Sequence, residues 1–421
     1  MTSTERGFAR QMDREDELAD FRQCFHIPRD ESGQEVLYFC GNSLGLQPRS
    51  VRAAIDQELQ KWEEQGVEGH FSDVDPWFSY HELLSEPLAY IVGANPDEVV
   101  AMNSLTTNLH LLMVSFYQPT PERFKIMIEG GAFPSDRYAV QSQAGFHGFS
   151  PKEAIVELAP RDGETHLRTE DIVAAIEEEG DELALILFGG VNYYNGQFFD
   201  LEKITEAGHA AGAKVGFDLA HAAGNVELKL HDWGPDFAAW CSYKYLNAGP
   251  GAVSGLFVHE RHAEASDLPR FAGWWGIDPA TRFEMPPTFQ PQPGAPGWQL
   301  SNAPILSMAS LRASLDLFSE ATMAALCNKS KALTGYLLGL MKQLPQRDFE
   351  VITPPQPEHR GCQVSILVHE DSEKRYERLQ QAGVVCDFRR PDVIRLAPVP
   401  LYNSFEDVWQ FWKILEESTK Q

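Results

Sequence analysis

The sequence predicts an α/β fold: a large unit with a mostly parallel sheet flanked by helices, plus a smaller α+β C-terminal unit. Three observations predict it. Short apolar runs alternate with helix-period segments between Lys125 and Asp218, the pattern of a parallel sheet covered on both faces. Two apolar runs deliver chemistry-bearing side chains, Asp218 and Lys244, and such sheets gather ligands at the carboxyl ends of their strands. From Gln363 to Glu417 the elements become compact: strand, helix, two strands, helix. With 421 residues the chain is long for one core. The expected division is 51–309 for the large unit and 1–50 with 310–421 for the small one.

In chain order, residues 1–40 read as polar and mobile at first, with a short helix over Asp16–Phe25 and a short strand over Glu35–Cys40. Gly41 to Leu46 is a glycine-bracketed loop. Val51, Ile55, Leu59 and Trp62 recur at helical spacing until Gly66, and His70 follows in an acidic loop. Asn103 to Asn108 carries an N-cap signal before the apolar run Leu109 to Phe116. Lys125–Glu129 reads as a strand and Gly130 to Asp136 as a Gly/Pro loop with a capping Asp. Strands follow at 153–158, Ala184–Phe188 and Lys214–Phe217, with helices at 168–179, capped by Thr169, and Leu201–Ala211. Phe237–Ser242 and Ser254–His259 are further strands, 286–297 is a loop, and two helices run from Ile305 to about Leu344. The small unit takes Gln363–Val368, Val384–Phe388 and Val393–Leu396 as strands, with Glu373–Gln381 and Phe405–Glu417 as helices.

Composition narrows the function. The net charge of −26 argues against nucleic acid or an anionic membrane surface as a partner. An anionic substrate would need a particular cation. The six cysteines show no paired spacing, which fits reduced thiols in a cytoplasmic protein. No basic-then-apolar leader opens the chain, and no apolar run reaches the length of a membrane span.

The motif that organises the rest is Trp240-Cys-Ser-Tyr-Lys-Tyr-Leu-Asn-Ala-Gly-Pro-Gly251. An ordinary lysine sits on a polar helix face. Lys244 instead follows an apolar strand beside Tyr243, where desolvation is expected to favour the free amine. Asp218 ends an earlier run, with His221 three residues on. A strand-end carboxylate with a strand-end amine is what a pyridoxal phosphate enzyme needs, the amine for a Schiff base and the carboxylate for the pyridinium proton. Asp218 and His221 as metal ligands lack a further ligand cluster nearby. A short-chain dehydrogenase needs Tyr-x-x-x-Lys, and Tyr243 and Lys244 are adjacent.

Five segments in order, Gly41-Asn-Ser-Leu-Gly-Leu46, Phe133-Pro-Ser-Asp136, Phe217-Asp-Leu-Ala-His-Ala222, Cys241-Ser-Tyr-Lys-Tyr-Leu-Asn247 and Ala397-Pro-Val-Pro-Leu-Tyr-Asn403, together resemble the kynureninases, which are fold-type I pyridoxal phosphate enzymes. The resemblance runs from about residue 15 to the end. It implies hydrolysis of L-kynurenine or 3-hydroxy-L-kynurenine to an anthranilate and L-alanine, in tryptophan degradation, by a homodimer with active sites shared across its interface. It implies Lys244, Tyr243 and Asp218 as catalytic, with pyridoxal 5′-phosphate as a Schiff base on Lys244. Leu105, Thr106, Phe133, Pro134, Ser135, Asp136, Gly189 and His221 would also hold the cofactor, with Trp274 and Asn302 reaching it from the neighbouring subunit. Ser43, His70, Trp275, Asn302 and Arg395 would meet the substrate, Arg395 being the cation for its carboxylate. Phe is common in the family at the position of Trp275, so the ring pocket departs there. The alternatives are an aminotransferase, a cysteine desulfurase-like lyase and a non-catalytic binding protein of the same fold. A desulfurase needs a reactive cysteine on a mobile loop, and Cys327 and Cys362 stand in helix and strand-edge contexts.

Overall fold

The computed structural model describes residues 3–265 and 267–419. Its centre is a seven-stranded sheet: β1 (Val99–Ala101), β2 (Lys125–Glu129), β3 (Ile155–Leu158), β4 (Leu183–Gly189), β5 (Lys214–Asp218), β6 (Phe237–Trp240) and β7 (Gly255–Val258). The spatial order is β1-β7-β6-β5-β4-β2-β3. Only β7 runs against its neighbours, β1 and β6; the other pairings are parallel.

Both faces are covered, so β4 reads as an unbroken buried run. Its side chains still alternate. Leu185 and Leu187 join Ile126, Phe116 and Phe237 on one face. Ile186 and Phe188 join Met127, Phe217 and Phe318 on the other. The helices Ile305–Ala321 and Met323–Met341 lead into a four-stranded antiparallel sheet, ordered Asp387–Arg389, Val393–Leu396, Val364–Val368, Phe349–Val351. A separate apolar cluster backs it, made of Leu337, Leu340, Ile366, Ile394 and Phe411 together with Ala9, Leu37 and Phe39 from the N-terminal segment. No helix among the described residues is long and apolar enough to cross a membrane.

Several local expectations change. The N-terminal segment forms a helix at Arg6–Glu15 instead of a mobile start, and Ala19–Cys24 is a 3₁₀ turn. Asp13 accepts the first backbone N–H groups of the helix Phe405–Ser418, from Phe405 at 2.6 Å and Glu406 at 3.0 Å. Arg6 and Arg10 pair with Glu406. Such exposed pairs are screened by solvent and contribute little, whereas burying one large apolar side chain contributes about 1.5–3 kcal/mol. Packing of Phe8, Ala9 and Met12 on the C-terminal cluster is therefore what orders the helix.

The stretch after Phe133 is a helix, Pro134–Phe146, with Pro134 in its first turn, where a missing N–H costs nothing. The helix at 169–179 starts on Thr169 itself, with Arg168 in the cap position and no side-chain cap. The helix Ser85–Val92 and strand β1 carried no clear signal. The strand expected over 384–388 is split in two, and its first part pairs in parallel with Leu37–Tyr38.

Candidate active site

The parallel order brings the carboxyl ends of β2, β4 and β5 side by side, carrying Glu129, Gly189 and Asp218. Just past β6 the chain makes a tight turn: Asn247 N–H donates to Lys244 O and Ala248 N–H to Ser242 O, at 3.1 and 3.0 Å. The turn is pinned from outside by Gly45 N–H on Tyr243 O, 2.9 Å. These elements enclose a cavity of about 340 Å³. The helices Leu105–Phe116 and Pro134–Phe146 point their N-termini into it, and Asn42, Ser43, Arg389 and Arg395 close it from the small sheet's side.

Lys244 Nζ lies 3.1 Å from His221 Nε2, and 5.9 Å from the centre of the Phe133 ring. Burial, reinforced by the Lys244 charge, holds the His221 imidazole well below its ordinary pKa, so it is neutral and accepts from the amine. Its Nδ1 is buried without a partner.

Three carboxyls share the floor. Burial raises Asp218, whose Oδ1 accepts Ala220 N–H at 2.7 Å. Burial and then the Asp218 charge push Asp136 well up. The proton held between the two therefore belongs mainly to Asp136, leaving Asp218 the better anion. Burial pushes Glu129 up to about 7 against the pull of the Gly189 N–H, which it accepts at 2.7 Å. Tyr243 is raised far above its ordinary value by burial and then by Cys241, which keeps the phenol protonated.

Beside Asp136 in the same helix turn, Ser135 Oγ meets Thr106 Oγ1 at 2.8 Å. Neither helix start carries a side-chain cap, so first-turn N–H groups remain for an anion. An amine, an aromatic face, a carboxylate pair and an anion cradle thus surround one space. That donor set fits a phosphorylated pyridine aldehyde.

Comparison with known proteins agrees. Residues 326–415 match the kynureninase C-terminal domain. A kynureninase of Myxococcus xanthus is 58% identical over 99% of this chain and 97% of its own length. One of Nematostella vectensis is 50% identical over 99% and 94%. The chain belongs to the kynureninase family. Solved structures show the fold at lower identity. A cysteine desulfurase from Thermococcus onnurineus NA1 superposes with a TM-score of 0.77 at 17% identity, covering 95% of this chain and 98% of that one. The cysteine desulfurase CsdA of Escherichia coli gives 0.77 at 16%, covering 96% and 98%. Unlike what a desulfurase requires, none of the six cysteines lines this chain's cavity.

In this kynureninase-family chain the cavity gathers Ser43, Leu105, Thr106, Phe133, Ser135, Asp136, Gly189, Asp218, His221, Tyr243, Lys244 and Arg395. Pro134 sits in the helix turn beside it. Four expected residues lie elsewhere within the single chain. His70 packs edge-on to Trp77 at 5.3 Å. Trp274 and Trp275 belong to an aromatic group with Phe78 and Phe283, whose hub is the buried Arg282. That arginine donates to Trp275 O at 2.8 Å, and its backbone carbonyl accepts the Trp274 indole N–H at 3.1 Å. Asn302 is exposed and lines a separate cavity of about 300 Å³ with Asn103 and Leu300.

Glu129, Tyr193, Arg389 and Asp387 escaped the sequence reading. Glu129 ends an apolar strand as Asp218 does, a signal that was readable. Tyr193 meets Phe133 edge-on at 5.2 Å, a contact between distant loops. Arg395 is not a free cation: it pairs with Asp387 and donates to Tyr193 O. Outside the cavity, Glu98, His231 and His259 lie together. Glu98 is already occupied there by the N–H groups of Asn95 and Glu260 at 2.8 Å each, which makes the group a structural one.

Proposed function

We propose that this chain hydrolyses L-kynurenine, or its 3-hydroxy analogue, to anthranilate or 3-hydroxyanthranilate and L-alanine, with pyridoxal phosphate attached at Lys244. The observation that carries the reading is Lys244 facing His221 at 3.1 Å in the cavity that Asp218 and Phe133 also line. Family membership agrees with it. When bound, pyridoxal phosphate supplies the electron sink that makes the substrate Cα–H acidic and the Cβ–Cγ bond breakable.

The chain's own residues do the rest. Asp218, the better anion of its pair, would hold the pyridine N–H, while Asp136 would keep the shared proton. The Phe133 ring, which lines the cavity, would give the cofactor ring an aromatic surface. Leu105, Thr106 and Ser135 would hold the phosphate with helix N–H and hydroxyl groups; Gly189 leaves room beside Glu129. Lys244 Nζ, as the free amine, would take the Cα proton, and neutral His221 would orient it as a hydrogen-bond acceptor. Tyr243, a phenol that burial keeps protonated, would serve as hydrogen-bond donor or proton relay beside Lys244. Ser43 and Arg395 hold the substrate carboxylate.

The same reading assigns 51–309 to the cofactor-holding unit and 1–50 with 310–421 to the unit that supplies Ser43 and Arg395. It makes the protein a homodimer, with Trp274 and Asn302 completing the partner's cofactor site and His70, Trp275 and Asn302 meeting the substrate ring. The exposure of Phe71, Phe271, Trp274, Phe283 and Met285 supports this. Six free cysteines fit the cytoplasm. Incubation of the cofactor-loaded protein with kynurenine should release fluorescent anthranilate and alanine in equal amounts; a keto acid in place of alanine would make it an aminotransferase.

A further inference from the structure

The carboxylate end of the cavity already holds a carboxylate. One oxygen of Asp387, Oδ2, accepts from three donors: Ser43 Oγ at 3.1 Å, Arg389 Nη2 at 3.0 Å, and Arg395 Nη2. Two of those donors, Ser43 and Arg395, are the ones assigned above to the substrate. Arg395 is 1% exposed and Asp387 15%, so the competition takes place out of water, where each charge-assisted bond counts.

The charges do not close. Two guanidinium groups face one carboxylate, which leaves one positive charge over in a chain whose net charge is −26. The spare donors match that surplus: Arg389 Nε and Arg395 Nε are both buried without a partner. Burial pushes Asp387 up, but the charges of Arg395 and then Arg389 outweigh it and hold its carboxyl below the usual range. The site is therefore built for two carboxylates and contains one. Asp387 Oδ2 already accepts from Arg389 Nη2 at 3.0 Å, so no new contact has to form for Asp387 to stay on Arg389 when it gives up Arg395.

Building on the reading of the site given above, we propose that Asp387 occupies, in the free protein, the point where a substrate carboxylate oxygen binds. Arg389 is the residue that retains Asp387 when an amino-acid carboxylate takes over Ser43 and Arg395. Arg389 is thus a positioning residue, and Asp387 an internal competitor that sets how strongly the site prefers an anion.

The test is calorimetric binding of L-alanine and of uncharged-end L-alaninamide to the cofactor-loaded protein. Asp387→Asn removes the competing charge and should tighten L-alanine about tenfold, the effect of one charge-assisted hydrogen bond, with L-alaninamide unchanged. Unchanged or weaker L-alanine binding would overturn the proposal and leave Asp387 a structural counter-ion. Should that variant fail to fold, Arg389→Gln strands Asp387 on Arg395. It should raise the kynurenine KM about tenfold at constant kcat, again without effect on L-alaninamide; an unchanged KM would overturn the proposal too. Wild-type protein that binds L-alanine but does not hydrolyse kynurenine would remove the proposed reaction and leave this competition standing.

Discussion

Lys244 Nζ and His221 Nε2 stand 3.1 Å apart at the end of adjacent parallel strands. Both are bases, and both cannot be charged at that separation in a buried site. Burial settles the matter by keeping the imidazole neutral. A histidine here orients the amine without competing with it for a positive charge.

The first prediction concerns that amine. Lys244→Ala should eliminate the borohydride-fixable label that wild-type protein acquires from pyridoxal phosphate, with little change in melting temperature. Mass spectrometry of the reduced protein reads it directly. Labelling of the variant at the wild-type level would place the attachment on another lysine.

Arg395→Ala should raise the KM for kynurenine by about 1.5–3 kcal/mol, roughly 10- to 150-fold, as for loss of a charge-assisted pair. The kcat should change much less. Steady-state kinetics at saturating cofactor decides this, and an unaltered KM would take Arg395 out of carboxylate binding.

Glu129 gives a pH dependence whose sign is fixed. Its folded pKa is raised, from 4.5 to about 7, so the unfolded chain releases the proton first. The associated stability is fully present below about pH 4.5 and is lost as pH rises through 7, by at most about 3 kcal/mol. Glu129→Gln should lose less stability than wild type between pH 5 and pH 8 in thermal melts, since the amide does not titrate. Parallel melting curves for the two proteins would show that Glu129 ionises at its ordinary pH.

Gly45→Ala tests how the lysine turn is held. A Cβ at position 45 would lie 2.3 Å from Lys244 O and 2.3 Å from Asn247 Oδ1, and the first of these is backbone that cannot rotate away. The substitution should cost about 1–3 kcal/mol, as overpacking does, and should weaken cofactor retention because the displaced atoms belong to Lys244. A wild-type melting temperature with full cofactor occupancy would contradict it.

Much of the site was legible because its key signals are local. A strand that ends on Asp218, and a strand followed by Tyr243, Lys244 and a glycine-rich turn, can be read from a dozen residues each. The helix Pro134–Phe146 was not, since Gly130, Gly131 and Pro134 read as a loop while its buried face, Ala139, Val140 and Ala144, is weakly apolar. The Arg6–Glu15 helix was missed for a related reason: its order depends on residues about four hundred positions away.

The sequence by itself determined which strands end on chemistry, which cofactor suits them and which family supplies the reaction. Only the tertiary structure decided that Glu129, Asp136 and Asp218 come together in one acidic floor, and that Arg395 meets Asp387 before any substrate does. The physical reason is range. Periodicity and turn residues are written over a few neighbours, whereas proton sharing and ion pairing depend on distances between segments that only the packed sheet and the C-terminal unit bring together.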